Sequence, residues 1–168
     1  MIMRQSLLSK LVLLTLLLLN IFAGCKKAET DPCKGLLNES PPAKIILKFI
    51  DKQTREPIMV DAALIKITEQ QSGDPYKNWS VNNTTGFSPL NGSVILGFFN
   101  ETPGEYQYNI QLGNKGTVVL SYQVSRKETD NPCRLYSYPI SEIKIVNQPF
   151  ELFQQEGKTY PNILIAAL

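Results

Sequence analysis

The sequence predicts an all-β fold, a single antiparallel β-sandwich of seven to nine strands, and three observations predict it. From Ala43 onward, short segments alternate apolar and polar residues with period two, as half-buried strands do. Clusters of Gly, Pro, Asn and Asp separate these segments. No stretch offers a place for a long helix.

The first expected strand is Ala43 to Ile50, with Ile45, Leu47 and Phe49 on one face and Lys44 and Lys48 on the other. A polar turn from Asp51 to Pro57 leads to a second strand, Ile58 to Thr68, with Ala63, Ile65 and Ile67 inward. Glu69 to Asn78 is a longer loop that ends at Trp79 and Val81, and a turn over 82–86 follows. Ser93 to Phe99 is a continuous apolar run, expected to be buried on both faces. The clearest hairpin comes next. Tyr106, Tyr108, Ile110 and Leu112 alternate, Gly113-Asn-Lys-Gly116 turns the chain, and Val118, Leu120, Tyr122 and Val124 alternate back. Ile143 and Ile145 mark a further strand, and Phe150 to Phe153 with Asn162 to Ala167 form a closing pair.

Ahead of these strands the run Leu11 to Gly24 is leucine-rich, preceded by Arg4 and Lys10 and followed by Cys25-Lys26-Lys27. From Leu11 to Gly24 there are only fourteen residues, with Thr15 and Asn20 interrupting them, whereas a spanning helix needs ~20 apolar residues. The segment resembles a bacterial lipoprotein leader, with Ala23-Gly24 before the cysteine and Phe22 where that family usually has leucine. The resemblance implies cleavage between Gly24 and Cys25 and lipidation of Cys25, including a palmitate-type acyl chain. Each buried methylene then contributes roughly 0.8 kcal/mol of membrane affinity. The expected organisation is a signal peptide at 1–24, a lipidated N-terminus and tether at 25–42, and the sandwich at 43–168.

Without the leader the chain keeps fifteen cationic and fifteen anionic side chains, a formal net charge of zero. No cationic excess argues for nucleic acid, so none is expected as a partner. Histidine is absent, which removes the commonest general base and zinc ligand together. No metal or other cofactor is expected. Of three cysteines, Cys25 is assigned to lipid, and Cys33 and Cys133 are expected to form a disulfide in an oxidising compartment. Their loop of 100 residue steps corresponds to about 4.7 kcal/mol in the chain-entropy model.

Glu101 and Glu105 flank the Pro103-Gly104 turn and are the one carboxylate pair to weigh as catalytic; charged residues at turns are mostly solvated, and no enzymatic activity is expected. Trp79 reads first as the core tryptophan of the sandwich. The alternative is that Tyr76 and Trp79 form a loop platform for a saccharide or peptide ligand.

One further resemblance comes from Asp51, Thr54, Pro57-Ile58, Ala63 and the alternation of Ile65 and Ile67, together with Thr85-Gly86-Phe87 and Pro103-Gly104-Glu-Tyr106. These resemble the recurring elements of carboxypeptidase regulatory-like domains, which are transthyretin-type, immunoglobulin-like sandwiches. The resemblance covers about sixty residues and implies a domain without catalytic residues of its own. The lysines after Cys25 are similar to those of small Bacteroidota lipoproteins. Together these imply a cell-envelope protein held in a membrane, expected to be the outer one, with an envelope protein as partner. Lys27 and Ala28 intervene before Glu29, which leaves the leaflet open.

Overall fold

The computed structural model describes residues 42–83, 88–100 and 102–168, together with Cys33 and Lys34. Gly24, Cys25, the leader, most of the tether, Thr85-Gly86-Phe87 and Glu101 lie outside the described residues. The chain divides into two compact units, Met1–Leu37 and Asn38–Leu168, and every strand below belongs to the second.

The fold is all-β, as the alternation predicts. Its strands are β1 (Ala43–Ile50), β2 (Ile65–Glu69), β3 (Trp79–Val81), β4 (Val94–Phe98), β5 (Gly104–Leu112) and β6 (Thr117–Val124). Then come β7 (Lys127–Asn131), β8 (Arg134–Ser137), β9 (Ile140–Ile145), β10 (Phe150–Gln155) and β11 (Lys158–Ala167). A five-stranded sheet has the order β10-β11-β1-β4-β3, a four-stranded sheet the order β2-β5-β6-β9, and β7-β8 forms a separate ribbon. Neither main sheet closes into a barrel.

The two main sheets share one hydrophobic core. Ile45, Leu47 and Phe49 of β1 and Leu164 and Ala166 of β11 contribute from one sheet, and Ile110, Val118, Leu120 and Tyr122 from the other. All of these are fully buried, and each large aliphatic among them contributes about 1.5–3 kcal/mol relative to exposure.

Two expectations are corrected here. The larger sheet is mixed, because β1 pairs in parallel with β11, from Ile46↔Ile163 to Ile50↔Ala167. Alternation reports which face of a strand is buried but not which strand lies beside it. Among the described residues the strands also number eleven rather than seven to nine. The additions include β3, which has three residues, and the polar ribbon Lys127–Asn131 with Arg134–Ser137, which shows no apolar alternation.

The second strand is shorter than its pattern suggests. Asp51 Oδ1 accepts from the backbone N–H of Gln53 and of Thr54, both at 2.8 Å, closing the turn after β1. Pro57 then bridges to Ile50, and Ile58 N–H donates to Phe49 O at 2.9 Å. Next, Asp61 Oδ1 accepts from Ala63 N–H at 2.9 Å and caps a 3₁₀ turn at Ala62–Leu64. Ala63 is therefore exposed, while Ile65 and Ile67 face the core as expected.

The β5–β6 hairpin follows its predicted register, with Tyr106↔Tyr122 and Ile110↔Val118. At Gly113 the backbone is left-handed, with φ 56°, and an added Cβ would lie 3.2 Å from Leu64 Cβ. The closing pair is also present: Glu156 and Gly157, at φ 50° and 75°, form a two-residue turn of the kind that joins twisted antiparallel strands. At the free edge of β9, Glu142 has φ 52° where the pairing with β6 is irregular, which interrupts a surface that would otherwise invite another strand.

Leu47→Ala should lower unfolding free energy by about 2–5 kcal/mol, because its side chain is fully buried. Leu135→Ala, on the exposed ribbon, should change it by less than about 0.5 kcal/mol. Urea titrations of both variants check this, and equal losses would contradict the assignment of the core.

Candidate functional site

The excursion between β2 and β3 is tighter than a free loop. Glu69 N–H donates to Asp74 O at 3.0 Å, Thr68 bridges to Pro75, and Tyr76 N–H donates to Ile67 O at 2.8 Å. These bonds turn the Tyr76 side chain toward the core. Its ring stacks on Phe98 at 5.4 Å between centroids and meets Tyr108 edge-on at 4.9 Å. The Tyr76 hydroxyl and Asn78 Nδ2 both donate to the carbonyl of Gly97.

The array continues inward. Phe98 lies 4.7 Å from Tyr122, while Tyr106 and Tyr108 stack on Tyr122 at 5.6 and 6.1 Å. Asn100 Nδ2 donates to the Tyr122 hydroxyl at 3.1 Å, so this fully buried phenol keeps a polar partner. Burial pushes the Tyr76 phenol up to about 12, with the neighbouring Tyr108 adding to the effect. Burial likewise raises Tyr108 and Tyr122, in each case against a lowering side-chain hydrogen bond.

Trp79 sits on a strand, not in a loop. It opens β3 at the edge of the larger sheet and pairs with Leu96. It is half-buried and packed against the shared core, as is Tyr76.

A shallow depression of about 100 Å³ lies where the β1–β2 connection meets the β5–β6 turn, with Met59, Asp61, Leu64, Leu112 and Lys115 among its lining residues. Met59 and Leu64 are 62% and 57% exposed. Ligand sites for small organic molecules are usually ~300–1,000 Å³, so this depression suits a single inserted side chain at most.

Glu105 accepts from Gln107 Nε2 at 3.1 Å and from Ser121 Oγ at 3.0 Å. These two bonds hold its carboxyl below the usual range, the opposite of the shift that a general acid requires. Hydrogen bonds from Thr54 and Gln53 N–H lower Asp51 in the same way. Among the described residues no cluster of three or more Cys, Asp or Glu is placed to hold a metal, and no helix is long and apolar enough to cross a membrane.

Cys33 and Cys133 are disulfide-bonded to each other. On the domain side this bond grips the turn of the β7–β8 ribbon, where Asn131 Oδ1 accepts from Cys133 N–H at 2.9 Å. Next to the ribbon, Arg126 lies 4.7 Å over the ring of Tyr136. Leu135 and Tyr136 stand out as exposed apolar side chains, and neither shows any strand alternation that singles it out in the sequence. The chain matches no known protein-family model, no curated protein and no solved structure.

The tyrosine array has a consequence at alkaline pH. Phenols ionise near pH ~10 in an unfolded chain, and at about 12 for Tyr76 in the fold. Between those values the unfolded state binds fewer protons, so stability falls as pH rises across that window. Ultraviolet absorbance should show Tyr76, Tyr108 and Tyr122 ionising together with loss of the circular dichroism signal. A single normal titration of all seven tyrosines in an intact fold would contradict the array.

Proposed function

We propose that this chain is a lipid-anchored cell-envelope protein, held in the outer membrane through Cys25, whose β-domain serves as a non-enzymatic structural or accessory module of a membrane-associated complex. The observation that carries the reading is the Cys33–Cys133 bond. Such bonds persist in exported proteins and are rare in reducing compartments, and the remaining cysteine of the sequence is the one at the end of the leader. A polar outer face on the smaller sheet, where Gln107 and Lys144 flank the buried Ser121 in one cross-strand row, also suits contact with another protein better than enclosure of a substrate.

The carboxypeptidase regulatory-like reading of the domain belongs to the same proposal. Its support is the Asp51 turn, which leads from β1 through Thr54 to the Pro57 bridge, and two sheets on one core. The parallel β1–β11 pair stands outside what the resemblance implies.

A second reading, binding of a saccharide or peptide, rests on Trp79. Its three-residue edge strand offers a place where an extended peptide adds alongside. Tyr76, the other aromatic of that reading, already has its ring and hydroxyl engaged.

Cys25→Ala should abolish incorporation of labelled fatty acid and release the protein from the membrane fraction, while the domain still folds. Normal labelling of the variant would end the lipoprotein reading.

A further inference from the structure

Register places several chain features at one end of the β-domain. Ala43, where β1 begins, pairs with Phe98 at the end of β4. Five residues then connect β4 to β5, whose first residue, Gly104, pairs with Val124 at the end of β6. Val124 pairs with Ile140 at the start of β9, and the β7–β8 ribbon is the connection between those two strands. The entry of the chain into β1, the β4–β5 connection and the ribbon therefore share this end.

The same end carries apolar side chains that the fold does not use. Phe99 and Leu135 are each 63% exposed, and Tyr136 is 37% exposed beneath Arg126. Lys127 and Arg134 are the first residues of β7 and β8. Apolar residues beside a tyrosine, with arginine and lysine in the same segment, match the chemistry of a bilayer interface, where aromatic rings sit at headgroup level and cations meet lipid phosphates. Glu128 and Asp130 reduce the charge of segment 126–137 to +1, so electrostatic attraction alone is weak.

The disulfide supplies what the patch lacks. Only eight residue steps separate Cys25 from Cys33, a reach of at most ~29 Å, and Cys33 is bonded to the turn of the ribbon itself. Under the lipid-anchor reading, on which this inference rests, the patch is confined near the membrane at an effective concentration high enough for a weak contact to persist.

We infer that the end of the domain bearing Phe99, Leu135 and Tyr136, with Arg126, Lys127 and Arg134, rests on the surface of an anionic lipid bilayer. The anchor and this patch act as two signals that together fix the orientation of the domain.

The test uses the full-length lipidated protein carrying Trp79→Phe, reconstituted in phosphatidylethanolamine and phosphatidylglycerol vesicles with and without brominated acyl chains. Tyr136→Trp in that background should lose emission in brominated vesicles, as expected of an indole held at the membrane interface. Met59→Trp, at the opposite end by register, should keep its emission. Leu135→Trp gives the same readout if Tyr136→Trp fails to fold. Acylation is read separately, from the mass of the Cys25 peptide and from flotation. An acylated, floating protein with no quenching at either ribbon position overturns this inference and leaves the lipid anchor standing. A chain with no acyl group overturns both.

Discussion

The structure depends on β1 being held from both sides. It pairs antiparallel with β4 and parallel with β11, and its inward row, Ile45, Leu47 and Phe49, is fully buried. A parallel pair needs a crossover connection, and here almost the whole domain serves as that crossover. The first strand is thus locked only when the last arrives, a pairing of high sequence separation that favours slow, cooperative folding. Lys52 N–H donating to Leu168 O and Leu168 N–H donating to Ile50 O, at 2.9 and 3.0 Å, extend the same seam to the end of the chain.

That constraint bears on the proposed anchoring. In the lipid-anchor reading, tension on the tether enters the domain at Ala43, the start of a strand bonded along both edges. It also enters at Cys133, on a ribbon of two short strands that pairs with neither main sheet. A two-stranded ribbon is marginal on its own, so the disulfide and the Arg126–Tyr136 contact are suited to ordering it.

How much was legible in the sequence follows from what alternation encodes. β1, the β5–β6 hairpin and the β10–β11 pair all carry strong apolar rows with turn residues between them, and all three lie where the pattern puts them. The stretch from Ile58 to Leu64 looked like strand because Ala63 falls in phase with Ile65 and Ile67, but the Asp61 cap takes it into a 3₁₀ turn. Neighbour relations between strands distant in sequence were not legible. Nothing local in β1 or β11 distinguishes a parallel partner from an antiparallel one. The ribbon was missed because Lys127–Asn131 buries no row of side chains. At the candidate site, Tyr76 and Trp79 were legible as residues of interest, but whether Tyr76 pointed outward depended on backbone bonds to β2 that composition does not reveal.

Native-state hydrogen exchange measured strand by strand tests the central claim most directly. If β1 and β11 form one seam, their amides exchange only through global unfolding, with a common opening free energy equal to that from denaturant titration, while β7 and β8 exchange through cheaper local opening. Exchange of β11 amides at a much lower free energy than those of β1, with β1 still protected, would show that the last strand is not what locks the first.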